Sequence, residues 1–445
     1  MADWTCDSNE ALHLSMVRAQ EDKEALGESE SYEDFQPAFT YPIFGEEEKI
    51  YGYQDLAIDL KFASGSLVQY LSITHTSKLN AATTVDDVEE ILSSAIPPGY
   101  MTDEADFLAR VEEDAVSFRP SGQLLYSYTR PSPYTIDKGK GKEVANAQPP
   151  DSESEDAVVF EVYHATWDTP GFREYHRRMQ LFILLYIEGG SYINEEEDTW
   201  EFVVLYRKRR TEPHLATYHF AGYSSLYPFY HFPEKVRLRL SQFVILPPYQ
   251  RAGHGSQLYL AIYNHILSQP SIAELTVEDP AEAFEDLRDK NDLQTLFANE
   301  QFMKEAFGEE SVSYGGGRVE SSSYGGGRVG GVGKGGRSGR GGVGNMMTKG
   351  KLGPPVDKGW AEKWRKDLKI AGRQFARLVE MLILSRLSPS DVRAMKAYRL
   401  QVKERLYRFN FEILVQLEKE ERLEKLEETF RSVKEDYQRI LALVR

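Results

Sequence analysis

At 445 residues the chain is too long for one ordinary hydrophobic core, so two or three domains are expected. A net charge of −17 works against binding a nucleic-acid duplex and suits a cationic partner or substrate, although acidity for solubility alone accounts for it equally well. The single cysteine, Cys6, excludes an intrachain disulfide framework and a cysteine-rich zinc cluster. No secretory signal is visible in Met1 to Leu26, and the longest apolar run, Leu181 to Ile187, is far below the ~20 residues that span a bilayer. Together these predict a soluble intracellular protein with no membrane partner.

Residues 1–34 are polar, charged and poor in branched apolar side chains, which predicts a disordered leader. Residues 35–132 predict a first α/β domain. In it, short strands are expected at Phe39 to Phe44, Tyr51 to Tyr53 and Leu56 to Phe62. Helices follow at Val85 to Leu92 and Asp103 to Val111, then an aromatic strand at Leu124 to Tyr128. Residues 133–157 carry Lys138-Gly139-Lys140-Gly141-Lys142 and Ser152-Glu153-Ser154-Glu155 and predict a flexible boundary loop.

Residues 158–300 predict a sheet-centred domain. Its strands lie at Val158 to His164, Trp200 to Tyr206, Leu215 to Tyr223 and Phe243 to Leu246, and a helix is expected over Gly171 to Ile187. The basic run Arg207 to Arg210 follows a strand and is read as a hairpin end rather than an import signal. Residues 301–358 hold a repeated Ser-Tyr-Gly-Gly-Gly-Arg-Val, beginning at Ser313 and again at Ser323, and predict a Gly/Arg-rich linker. Residues 359–445 predict a helical region. Ser388 is the expected cap of one helix, and Leu426, Phe430, Val433, Tyr437, Ile440 and Val444 form a coiled-coil-like stripe expected to pack on the same chain.

The segment richest in chemistry is Ser241 to Ser256. An apolar strand meets Pro247-Pro248, and the turn Gln250-Arg251-Ala252-Gly253-His254-Gly255 opens an amphipathic helix. Such a turn points backbone N–H groups and a helix dipole at one concavity, where a pyrophosphate can sit, and glycines let the backbone approach it. A bare Gly-x-Gly is a weak signal, and an ordinary structural turn has the same sequence. A P-loop reading of Gly330 to Gly335 fails because neither Ser nor Thr follows Lys334. The nine histidines form no H-x₃-H site backed by other ligands, so no metal is expected, and His254 reads as a turn residue.

Gln250-x-x-Gly253-x-Gly255 after an apolar strand resembles the coenzyme A signature of the GNAT acetyltransferases. Phe172 to His176, Ile187 to Tyr192, Gly222-Tyr223 with Tyr227, Ser241-Gln242 and Thr276 to Pro280 extend the match over about residues 35–289. They make the chain similar to the type B histone acetyltransferase catalytic subunits. The resemblance implies a GNAT fold with a mixed sheet flanked by helices. It implies acetyl-CoA as co-substrate, a histone tail as substrate, a WD-repeat histone-binding subunit as partner, and a place in both cytoplasm and nucleus. It also implies that Gln250, Arg251, Ala252, Gly253, His254 and Gly255 hold the cofactor, with backbone of Phe243, Val244 and Ile245 along its pantetheine arm.

A lysine amine, with a pKa near 10.4, needs a base before it attacks a thioester at neutral pH. Glu278, at the end of the strand Leu275 to Val277, is the first choice, expected to be buried enough to act as that base. The resemblance adds Glu188 and Asp279 as acidic partners, while a solvated acid would look the same in sequence. Peptide recognition falls to Glu195 to Asp198, Trp200 and Tyr227. The Gly/Arg-rich segment has no expected counterpart in the family; it reads as a spacer, with RNA contact the other possibility. Two rival readings remain: a catalytically inert histone-binding module, and a GNAT enzyme acting on a small amine.

Overall fold

Composition misleads at the N-terminus. The structure is a computed structural model that describes residues 4–27, 30–80, 85–131, 157–212, 215–308 and 350–444. In place of a disordered leader it has β1 (Thr5–Asp7) and β2 (Leu12–Val17). In β2, Leu12, Leu14 and Met16 are buried and alternate with the half-buried His13 and Ser15. That period of two is a strand signal too short to survive averaging over 34 polar residues. Next come β3 (Lys49–Tyr51), β4 (Tyr53–Gln54), β5 (Ala57–Ala63), β6 (Gln69–Thr74) and β7 (Ser77–Lys78). β2 lies parallel to β5, which pairs antiparallel with β6. Tyr41–Phe44 is a helical turn and not the expected strand, because Pro42 in its first turn presets a helical φ.

The central element is a six-stranded sheet of β8 (Gln123–Pro131), β9 (Ala157–Thr166), β10 (Glu201–Glu212), β11 (Leu215–His231), β12 (Lys235–Ile245) and β13 (Ile272–Val277). Its order is β13-β12-β11-β10-β9-β8, antiparallel except for β12 with β13. β8 pairs directly with β9. The polar residues 133–157 therefore join neighbouring strands of one sheet and mark no domain boundary; most of them lie outside the described residues. The chain divides instead into two compact units, Met1–Ala281 and Glu282–Arg445, so the later boundary falls before residue 282 rather than at 300.

Both faces of the sheet are covered. Phe172–Met179 and Leu181–Tyr186, broken at Gln180 where one continuous helix is expected, pack on one face, with Phe172 against Phe202 and Phe182 against Phe220. The helix His254–Ser268 packs on the other, with His254 against Phe160. Double coverage explains why Phe202 to Tyr206 reads as an unbroken apolar run and is buried throughout. The N-terminal strands join the same core: Phe62 packs on Phe182 at 4.9 Å, and Phe220 N donates to Ser64 O. Arg207 and Lys208 lie within β10 and pair with Glu30 and Glu161 at 2.6 and 2.7 Å.

The second unit is helical, with Glu282–Ala298, Glu300–Phe307, Lys358–Asp367, Gly372–Arg386, Val392–Phe409 and Lys419–Val444 as its main elements. Asp391, not Ser388, caps the Val392 helix, its carboxylate accepting from the N–H groups of Arg393 and Ala394. The terminal stripe packs within the chain as expected: Leu426, Phe430, Tyr437 and Ile440 are buried, and Tyr437 Oη donates to Glu380 at 2.8 Å. The Gly/Arg-rich repeat lies outside the described residues.

Candidate active site

The turn after β12 brings exposed backbone to the start of a helix, a geometry that can accept an anion. A short 3₁₀ turn, Pro247–Tyr249, leads into Gln250, whose side-chain N–H donates back to Ile245 O at 2.8 Å and ties the loop to the strand. Arg251 and Gly253 take positive φ angles of 60° and 80°, and Gly253 is the N-cap of the His254–Ser268 helix. Among the described residues no side chain caps that helix and no acid lies in its first turn, so none of them offsets the positive end of its dipole. Gln250, Arg251, Ala252 and Gly253 are exposed, while His254 is buried beneath them. Its Nδ1 lies 2.7 Å from Tyr128 Oη, and its ring packs on Phe160. Burial, with the Arg130 and Arg207 guanidinium groups nearby, lowers the His254 pKa to about 4. At neutral pH the ring is a neutral support at the start of the helix.

Beside the turn, β12 outruns its neighbour. The last pairing with β13 is Leu240 with Val277, whereas β12 continues to Ile245 along β11. A bulge between Ser225 and Leu226 leaves Ser241 out of register at that point. Phe243 is half-buried, and Val244 and Ile245 are buried. Gln242 bonds on two sides: its side-chain N–H donates to Ser191 O at 2.8 Å, while its Oε1 accepts from Ser225 Oγ at 2.9 Å. The loop carrying Glu188 is thereby fastened to β12, and Glu278 and Asp279 follow β13 directly.

None of the three acids is buried. Glu188, Glu278 and Asp279 are all exposed, and Asp279 has a φ of 43°. The Glu278 carboxylate accepts from Arg239 Nη1 at 2.7 Å with 65% of its side chain in solvent. The burial expected of Glu278 is thus absent, because β13 ends before any element covers the residue. Trp200 and Tyr227 do come together, edge to face with ring centroids 4.7 Å apart. Trp200 is buried with its Nε1 lacking a hydrogen-bond partner among the described residues, and Tyr227 is half-buried. The acidic run is partly consumed: Glu195 pairs with Arg177 at 2.7 Å and Asp198 with Arg173 at 3.0 Å, so both brace the Phe172 helix, although 83% of the Asp198 side chain stays in solvent.

Comparison with known proteins decides the family. Residues 4–188 match the family model described as "Histone acetyl transferase HAT1 N-terminus", and residues 345–388 match "Fungal HAT1, C-terminal". A "Histone acetyltransferase type B catalytic subunit" from Cryptococcus neoformans var. neoformans is 48% identical over 100% of this chain and 98% of its own length. A relative of the same name from Mycosarcoma maydis is 44% identical over 91% of this chain and 82% of its own. The chain belongs to the type B histone acetyltransferase catalytic subunit family. Among solved structures, an aminoglycoside acetyltransferase from an uncultured soil sample, 16% identical, covers 36% of this chain and 97% of its own with a TM-score of 0.20, too slight a likeness to bear on the fold.

As a member of that family the chain is an acetyltransferase, and one residue beside its turn escapes sequence reading. A Cβ on Gly253 would lie 3.0 Å from Arg130 Nη2, and Arg130 Nε is buried with no hydrogen-bond partner among the described residues. Arg130 sits on the edge strand β8, 123 positions before the glycine in a different stretch of sequence. Only the pairing of β8 with β9, over which the helix lies, brings it to the turn. The signal available in sequence was a lone arginine ending an aromatic strand, which is not enough to find it.

Proposed function

We propose that this chain transfers the acetyl group of acetyl-CoA to the ε-amine of a lysine in the N-terminal tail of newly made histone four. The observation that carries this reading is one continuous segment. The β12 edge beyond the last β13 pairing runs straight into an uncapped helix start with Gly253 at positive φ. The turn from Gln250 to Gly255 seats the pyrophosphate, with Arg130 adding charge, and the Phe243 to Ile245 backbone lines the pantetheine arm and polarises the thioester carbonyl.

In this reading Glu278 takes a proton from the lysine ammonium, and the neutral amine attacks the carbonyl carbon. The N–C bond forms, the C–S bond breaks, and coenzyme A leaves as its thiol after taking up a proton. Glu188, on the loop fastened by Gln242, and Asp279 orient the cationic chain. Trp200 and Tyr227 pack along its apolar stem. The bound peptide supplies the cover that Glu278 lacks, and the lysine replaces Arg239 as its cationic neighbour. A WD-repeat histone-binding subunit presents the histone, and the chain works in cytoplasm and nucleus.

The test is acetyl transfer from acetyl-CoA to a histone-four tail peptide and, separately, to a polyamine. Transfer to the peptide alone is expected. Transfer to the polyamine alone would identify a small-amine enzyme, and peptide binding without transfer would identify an inert histone-binding module.

A further inference from the structure

We propose that His164, Glu201 and His265 form a binding site for a divalent transition-metal ion, with zinc the expected occupant. The three residues come from three rigid elements. His164 of β9 lies opposite Val203 of β10, and Glu201 precedes Val203 by two, so both side chains leave the same face of the sheet. The helix over that face carries His254, Leu258, Ala261 and His265 along one stripe. The first of these packs on Phe160 of β9 with ring centroids 4.2 Å apart, and the last packs on His164 at 4.9 Å. Helix and strand therefore run side by side from the cofactor turn to the histidine pair.

The ligand atoms are already close. His164 Nε2 lies 2.8 Å from Glu201 Oε2, and one ligand atom from each of the three residues lies within 4.8 Å of the others. Neighbouring corners of a zinc tetrahedron with bonds of about 2.0–2.1 Å stand roughly 3.4 Å apart. Side-chain shifts of about an ångström bring all three onto one ion. The His164 and Glu201 side chains are 17% and 26% exposed, which leaves room for water as a fourth ligand. Two imidazoles and one carboxylate suit Zn²⁺, Co²⁺ or Ni²⁺ and are a poor set for Mg²⁺ or Ca²⁺.

An ion here ties the last turn of a helix to β9 and β10, and the first turn of that helix is the proposed cofactor seat. Its role is to fix the helix, not to touch the reacting groups. The residues lie far apart in sequence, 37 positions between His164 and Glu201 alone, which is why no spacing motif announces them. The competing account is a His164–Glu201 hydrogen bond with His265 merely stacked on it.

Chelator-treated full-length protein titrated with Zn²⁺ against a fluorescent zinc indicator should take up one ion per chain at this site, without competition from Mg²⁺. Glu201→Gln and His265→Asn should each weaken uptake by at least about tenfold, since even changes in groups that only orient metal ligands cost roughly 10–100-fold. Circular dichroism checks that each variant folds. Co²⁺ added to the unaltered protein should give the intense visible absorption of a four-coordinate site, a readout that needs no variant. Uptake untouched by both substitutions, or no stoichiometric uptake and no cobalt spectrum, would overturn the proposal.

Discussion

Two parts of the proposed site differ in how firmly the surrounding structure holds them. The Gln250 to Gly255 turn is held at three points beneath its exposed surface: Gln250 bonds back to Ile245, His254 is buried on Phe160 and Tyr128, and Arg130 lies against Gly253. Glu188, Glu278 and Asp279 stand in solvent, and the one strong partner among them is the Arg239 guanidinium on Glu278. A phosphate seat can be rigid because its charge and shape are constant through the reaction. Under the proposed function a bound peptide covers Glu278 and excludes water from it, so the surroundings of that carboxylate change on binding. The turn should therefore control cofactor affinity, and the acids should control turnover.

The largest effect is expected at the acids. Glu278→Gln keeps the shape and removes the basicity, so kcat at neutral pH should fall by roughly 10²–10⁴ while calorimetric acetyl-CoA affinity stays within twofold or so. A parallel loss of affinity would erase the division between the two regions. Gly253→Val breaks the comparison from the other side. Its positive φ costs a side chain roughly 1–2 kcal/mol, and Arg130 occupies the space. Acetyl-CoA affinity should drop by at least about tenfold in a protein that still folds.

Arg130→Gln sharpens the assignment of the turn. A charge-assisted contact to phosphate is worth about 1.5–3 kcal/mol, so acetyl-CoA affinity should weaken by roughly 10–100-fold, with no change for a phosphate-free acetyl-pantetheine substrate. Equal loss with both substrates would mean that Arg130 supports the fold and not the phosphates.

A smaller effect concerns acid stability. His254 is lowered to about 4 and His176 to about 3, both chiefly by burial, and burial puts His219 well below its ordinary value. The unfolded chain binds these protons near pH 6.5 and the folded chain does not. The stability from these histidines is complete above about pH 6.5 and is lost as pH falls through about 4 and then 3. Thermal melts from pH 7 to 4 should show a steady fall that is shallower in His254→Gln. The smallest effect is expected from deleting Ser313 to Gly344: none of the residues named in the proposed site falls in that segment, so turnover on a free histone peptide should be nearly unchanged.

The conformation of the turn was legible because it is written in consecutive residues: an apolar strand, a proline pair, and glycines before a helix, Gly253 taking a positive φ. The acids were legible as positions but not as environments, since exposure at Glu278 depends on where β13 stops relative to β12. Arg130 was invisible because strand pairing, not sequence proximity, delivers it. The same cause explains two errors in the fold. Averaged polarity hid the six-residue alternation of β2, and the polar stretch after β8 read as a boundary although β8 and β9 are hydrogen-bonded neighbours. Local patterns named most elements; long-range pairing decided which of them share a sheet.

The most direct measurement is kcat/KM for a histone-tail peptide from pH 6.5 to 9.5, with the unaltered protein and Glu278→Gln compared at each point under saturating acetyl-CoA. If Glu278 is the base, the deficit should shrink as pH rises, because more of the lysine, with a pKa near 10.4, arrives already neutral. A deficit that stays constant across that range, or a variant as active as the unaltered protein, would contradict the account and move the base to Glu188 or Asp279.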